Sequence, residues 1–150
     1  MSDAPHLQIS DVAQGLLPAN GADLRVFREA EAALAPEQLT VVGRLEAGES
    51  LDLAARRETE EESGVRLISE QPEFCGIHHH CEVDGGLDRI TAVFAAQCWT
   101  SKPDKHEALP RVSVEKPPSA CPPHTIAILH MLAHGQPYRA LNWPTPGGSE

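Results

Sequence analysis

The sequence predicts a mixed α/β fold with helices packed on a curved sheet, and three observations lead there. β-rich segments stand on both sides of residue 50, a helix with clear ends lies between them, and a second helical pattern follows near the C-terminus. The 150 residues leave room for one compact domain. A chain of this size buries roughly 68–70% of its unfolded surface and supports its own core. At 41% hydrophobic and 23% charged the composition is globular, while 4% aromatics means a core built from Leu, Val, Ile and Ala. We expect a single domain over residues 1–143 and a disordered tail over 144–150, Pro-Thr-Pro-Gly-Gly-Ser-Glu.

Val12–Leu17 and Asp23–Arg28 read as strands around the turn Pro18-Ala-Asn-Gly21, since Asn-Gly supplies the positive φ of a hairpin. Glu29–Pro36 is rich in Ala and Glu and suits either a short helix or a loop. Gln38–Val42 ends in Thr40-Val41-Val42, a β-branched trio typical of a strand. The clearest helix runs from about Ser50 to Ser63. Ser50 suits the N-cap, Asp52 the first turn, and Gly64 the left-handed stop. Leu51, Ala54 and Ala55 fall on one face of it, which should lie on the sheet. Phe74–Glu82 and Arg89–Thr100 read as strands around Val83-Asp84-Gly85-Gly86, the second stronger than the first. Residues 101–123 hold six of the 13 prolines, which excludes a long helix and leaves a crossing loop with a short strand at Arg111–Val114. His124–His134 resumes a helical apolar pattern closed by Gly135.

Charge narrows the partners. Twelve Lys and Arg against 22 Asp and Glu give a net charge of −10, which repels nucleic-acid polymers and anionic membrane surfaces. A phosphate compound would need bound cations to bridge two negative charges. No stretch approaches the 18 or more apolar residues of a membrane span, no signal peptide is visible, and the four cysteines form no C-x-x-C pair. A cytoplasmic protein with reduced thiols is expected.

Four of the five residues Glu58–Glu62 are glutamates in the last turns of the first helix, where the macrodipole is negative and each carboxylate costs a few tenths to about 1 kcal/mol. A solvated charged face, with Arg56 paired to Glu60 and Arg57 to Glu61, leaves Glu58 and Glu62 unpaired beside Ala54. Such a pair is costly unless a cation sits between its members, and hard oxygen ligands select Mg²⁺, Mn²⁺ or Ca²⁺. The helix reads as a divalent-metal platform.

Residues Gly43–Val65 spell G-x5-E-x7-R-E-x-x-E-E-x-G-V. This segment resembles the signature box of the Nudix hydrolases across all its fixed polar and glycine positions. The resemblance implies an α/β/α sandwich with a curved mixed sheet and the box helix packed on it. It also implies Mg²⁺-dependent, with Mn²⁺ as substitute, hydrolysis of a small-molecule nucleotide: a nucleoside diphosphate linked to another moiety. Carried onto this chain, Glu58, Glu61 and Glu62 would hold the metal, Arg57 would pair with Glu49, and Glu58 or Glu61 could activate water. A turn at Gly43 would bring backbone carbonyls to the metal. Three positions depart from the family pattern. Thr59 stands where an aliphatic side chain is preferred, Val42 where Pro-Gly or Pro-Ala often precedes the box glycine, and Lys102 where an acidic residue precedes Pro103. Asp104 or Glu107 could replace the carboxylate missing at Lys102. The resemblance names no substrate-binding residues.

Two other features compete for a role. His78-His79-His80-Cys81 invites zinc, yet on a strand only His78 and His80 share a face, which favours polar strand or pocket residues. Trp99 and Trp143 could stack on a base, but large apolar side chains more often fill a core. The alternative to an enzyme is a Nudix-like module that binds a nucleotide or protein without cleaving it. The box glutamates favour the enzyme, because binding alone does not require an unfavourable helix end.

Overall fold

The structure is a computed structural model that describes residues 8–17, 23–25, 27–29, 40–68, 73–81, 87–100, 106–108, 112–116 and 121–143. Its elements in chain order are β1 (Gln8–Leu16), β2 (Asp23–Leu24), β3 (Phe27–Glu29), β4 (Val41–Arg44), α1 (Leu51–Ser63), β5 (Glu73–Cys81), β6 (Asp88–Ala96), β7 (His106–Ala108), β8 (Val112–Ser113), α2 (Pro123–His134) and β9 (Tyr138–Leu141). The turns expected at 18–21 and 83–86, the segment 30–36 and the tail 144–150 lie outside the described residues.

A five-stranded mixed sheet in the order β4-β1-β6-β5-β9 forms the centre. β1 runs parallel to β6 and β5 parallel to β9, while β1 with β4 and β5 with β6 are antiparallel. Successive side chains of a strand face opposite ways, and the core divides accordingly. Val12, Ala92 and Phe94 pack under Ala54 and Ala55 of α1. Their neighbours Ala13 and Val93 pack on Ile128 and Met131 of α2. The two helices therefore cover opposite faces, which makes the α/β/α sandwich expected from the box.

Several boundaries differ from the sequence reading for identifiable reasons. β1 starts at Gln8, not Val12. It is a central strand buried on both faces from Asp11 to Leu16, so its alternation is blurred. The strand expected at Gln38–Val42 is displaced to Val41–Arg44, where it pairs Gln14↔Val41 through Asp11↔Arg44. Gly43 thus lies within a strand, not in a turn. The strand expected at Asp23–Arg28 splits because its halves take different partners, β2 with β8 and β3 with β7.

Helix α1 ends as expected, with Gly64 at φ 74° donating its N–H to Glu60 O at 2.9 Å. Ser50 occupies the N-cap, but its hydroxyl makes no capping bond. Leu51, expected in the buried stripe, is exposed. The buried stripe is instead Ala54, Ala55, Thr59 and Ser63, small residues that let the helix sit close to the sheet. Thr59, the departure from an aliphatic position, is satisfied internally: its hydroxyl donates to Ala55 O at 2.6 Å, and that of Ser63 donates to Thr59 O at 2.6 Å. Neither tryptophan fills the core. Trp99 is half-buried and pairs with Leu67, and Trp143 is exposed, its ring against His79 and its indole N–H donating to His79 O at 2.9 Å.

Candidate active site

Strand β4, the loop after it and helix α1 place the box residues around one side chain, Arg57. Its Nε donates to Glu49 Oε2 at 2.7 Å and its Nη2 to Glu49 Oε1 at 3.1 Å, a two-pronged pair. Its Nη1 reaches Glu58 Oε1 at 2.8 Å and Glu61 Oε2 at 3.2 Å, and its Nη2 donates to Arg44 O at 3.1 Å. Glu46 adds a longer contact at 3.4 Å. The guanidinium thus ties the loop to the helix. The hydrogen bond from Arg57 holds the Glu49 carboxyl below the usual carboxylate range. The same carboxylates hold Arg57 more firmly charged than usual.

Glu58 lies directly over β4. A Cβ at Gly43 would overlap the Glu58 side chain, so glycine here makes room for the carboxylate. Glu62, one turn on, hydrogen-bonds to Glu58. Desolvation of its carboxyl, that hydrogen bond, and repulsion from Glu58 and Glu61 push its pKa up to about 8. Glu62 thus sits hydrogen-bonded to Glu58 where a cation would serve both, and their oxygens suit a hard ion such as Mg²⁺ or Mn²⁺. The set is incomplete: among the described residues no three His, Cys, Asp or Glu side chains converge as metal ligands. Glu61 meets the same Arg57 Nη1 as Glu58.

The expected pairings are corrected in part. Arg57 and Glu61 do meet, but Arg57 also takes Glu58, which the sequence reading left unpaired. Glu60 is held by Arg66 at 2.9 Å, and Arg56 donates to Leu67 O at 3.2 Å. Lys102 and Asp104 lie outside the described residues, and Glu107 is placed in β7.

A second feature lies on the other face of the sheet, and of it the sequence reading offered only His78 and His80, as polar strand or pocket residues. Asp11, Val42, His78, His80, Arg89, Thr91, His124 and Ile128 line a cavity of about 380 Å³. Val42 faces it while the next residue, Gly43, underlies Glu58, so the cavity and the carboxylates are separated by the thickness of one edge strand. His78 and His80 share its wall, as their spacing on β5 requires, and His124 joins them from α2 with ring centroids 6.0 and 5.8 Å apart along the row. His79 points the other way, to Asp88 Oδ2 at 2.7 Å. Burial, then repulsion from neighbouring cations, lowers the His78 pKa to about 4, so the ring is neutral near pH 7. Polar residues recurring at every second position of β5 and β6 were the available signal.

Among the described residues no helix is long and apolar enough to cross a membrane, and none of the four cysteines forms a disulfide. The fold resembles that of a NUDIX hydrolase from Nitrosomonas europaea, at TM-score 0.62 and 20% identity over 87% of this chain and 92% of that one. A MutT NUDIX hydrolase from Burkholderia pseudomallei aligns at TM-score 0.58 and 20% identity, covering 82% and 98%. A mutator MutT protein from Bacillus halodurans aligns at 0.59 and 18%, covering 88% of each. No curated protein matches the sequence. The family model for the NUDIX domain matches residues 12–143, most of the chain including the whole box, and with the Arg57-centred carboxylates in place the chain belongs to the Nudix hydrolase family.

Proposed function

We propose that this chain is a Mg²⁺- or Mn²⁺-dependent pyrophosphohydrolase acting on a small nucleotide, a nucleoside diphosphate linked to another moiety. The observation that carries the reading is the Arg57-centred cluster, in which Glu49, Glu58 and Glu61 meet one guanidinium and Glu62 hydrogen-bonds to Glu58 one turn on. Glu58 and Glu62 would hold the ion, and Glu61 would complete the set. When bound, the ion supplies charge neutralisation at phosphorus and an acidified water. Arg57 fixes the position of Glu58 and, through Glu49, of the loop. Glu58 or Glu61 accepts the proton of the attacking water. Disulfide-free cysteines and a net charge of −10 support a cytoplasmic setting without nucleic-acid polymer or membrane partners.

One observation favours a second reading, a Nudix-like module that binds without cleaving: Arg57 already occupies oxygens of Glu58 and Glu61. A panel of nucleoside triphosphates, ADP-ribose and dinucleotide polyphosphates with purified protein and Mg²⁺ separates the two. Release of phosphate or pyrophosphate that stops with EDTA is expected. Silence across the panel would hand the case to the binding module.

A further inference from the structure

The α1 face of the sheet is covered unevenly. Helix α1 packs chiefly on β4 and β1, which leaves the β5–β9 end of that face without a helix among the described residues. Phe74 sits edge-on to the core ring of Phe94, centroids 5.6 Å apart, yet is 56% exposed. Tyr138, 55% exposed, lies beside Ile77 in the pairing of β5 with β9, and the exposed Ala140 lies beside His79. The ring of Trp143, 37% exposed, rests on His79 with centroids 4.4 Å apart. Phe74 and Ile77 oppose Phe94 and Ala92, both in the core under α1, so the alternation of side chains puts this whole row on one face. Of two Trp, one Tyr and three Phe in the chain, three therefore stand together in solvent. Such a grouping marks a surface that associates.

Charge decides with what. The chain holds 22 Asp and Glu, yet none falls between residues 116 and 149, where Lys116 and Arg139 are the only Lys and Arg. This stretch supplies Tyr138, Ala140 and Trp143. Of the nearby carboxylates, Glu73 alternates to the opposite face, and Asp88 is buried beneath His79, bonded by His79 and Gln8. Two molecules that each carry −10 repel one another over most of their surfaces. They do so least where neither presents a carboxylate. Two cationic residues are too few to draw an acidic polymer, whereas a nearly neutral aromatic row suits its own copy.

We propose that the chain forms a dimer through this row, with Phe74, Tyr138, Ala140 and Trp143 of one copy packed on the same residues of a second copy about a two-fold axis. Glu58 lies over β4, at the other edge of the sheet, so the carboxylates stay clear of the contact. The inference therefore stands apart from the hydrolase reading.

The test is sedimentation equilibrium of the full chain from about 5 µM to about 500 µM, at about 0.02 M and about 0.5 M NaCl. A monomer–dimer equilibrium is expected, with Kd falling by about threefold or more at the higher salt, because screening removes the mutual repulsion and leaves the apolar contact. Tyr138→Glu sets new carboxylates in the contact and should raise Kd by about tenfold or more. Leu53→Glu changes an equally exposed apolar residue on α1 and should leave Kd unaltered. A monomer under every condition overturns the proposal. So does a dimer that survives in a Tyr138→Glu variant shown to be folded by circular dichroism, one that Leu53→Glu dissociates as strongly, or one that salt weakens. Growth beyond a dimer would contradict the two-fold contact. A full chain that stays monomeric but dimerises once residues 144–150 are removed would assign the row to the chain's own tail, and the proposal would fall.

Discussion

On the α1 face of the sheet, Glu46, Glu49, Glu58 and Glu61 gather on one guanidinium at 2.7 to 3.4 Å. On the α2 face, Asp11, His78 and His124 meet at a cavity from β1, β5 and α2, with two buried atoms left wanting partners. The first group is contiguous in sequence, wet and over-supplied with negative charge. The second is dispersed in sequence and holds two buried polar atoms without hydrogen bonds. An excess of charge invites a cation and reaction chemistry, whereas the cavity mixes three imidazoles with a guanidinium, a carboxylate and apolar side chains. One strand, β4, separates the two kinds of demand.

The sharpest way to break this contrast is to remove charge from the α1 face. Glu58→Gln and Glu62→Gln should each lower kcat by about 10²-fold or more, and chelation should abolish turnover. Apo stability of Glu62→Gln should stay level or rise by roughly 0.5–1 kcal/mol, because glutamine carries no charge for Glu58, Glu61 and the negative helix end to oppose on folding. Millimolar Mg²⁺ should raise the melting temperature of the wild type more than that of the variant. A large loss of apo stability in Glu62→Gln would identify a paired structural acid instead.

Gly43→Ala tests the strand between the faces. The added methyl displaces the end of a flexible side chain, Glu58, so the fold should survive while kcat falls by about 10²-fold through misplacement. A normal kcat would show that Glu58 acts from another position. Gly76→Ala is the structural counterpart. At φ 149° a Cβ there would overlap the main chain of Pro137, whose carbonyl receives the Ile77 N–H at 2.9 Å. Backbone cannot swing aside, and denaturant titration should show a loss of about 2–3 kcal/mol.

The α2 face should betray itself through pH. The folded pKa of His78, about 4, lies below the ordinary 6.5, so the unfolded chain binds the extra proton. Stability from this group is complete above pH 6.5 and is lost as pH falls toward 4. Between pH 7 and 5 the loss should be about 1–2 kcal/mol, and His78→Gln should flatten that slope. An equal slope in the variant would assign the loss elsewhere. The smallest effect belongs to Glu60→Gln: Glu60 turns outward to Arg66, and kcat should change by less than about twofold.

What was legible in the sequence tracks this same division. Gly64 marked the end of α1 because a left-handed stop is local chemistry, while Ser50 marked its start without making a capping bond. The pairing of Arg57 with Glu49 came only through the box resemblance, since a loop must fold back to make it. Of the cavity only the spacing of His78 and His80 left a trace. Asp11 sits in a strand whose start was misplaced because a doubly buried strand lacks alternation, and the convergence of Asp11 with His78 and His124 is a product of sheet order. Leu51 misled for a related reason: its helical spacing suited the buried stripe, but α1 seats itself through the smaller Ala55, Thr59 and Ser63.

The parallel pairing of β1 with β6 also sets a schedule for synthesis. Gln8 opposes Asp88 and Leu16 opposes Ala96, so β1 has no partner on that side until the chain has grown through residue 96. Helix α1 can form from its own segment meanwhile, but the middle of the sheet closes late and over a long loop, which slows folding. Until then the apolar stretch of β1 is exposed to other nascent chains. Its charged and amide residues, Asp11 and Gln14, interrupt that stretch and lower its tendency to aggregate during the wait.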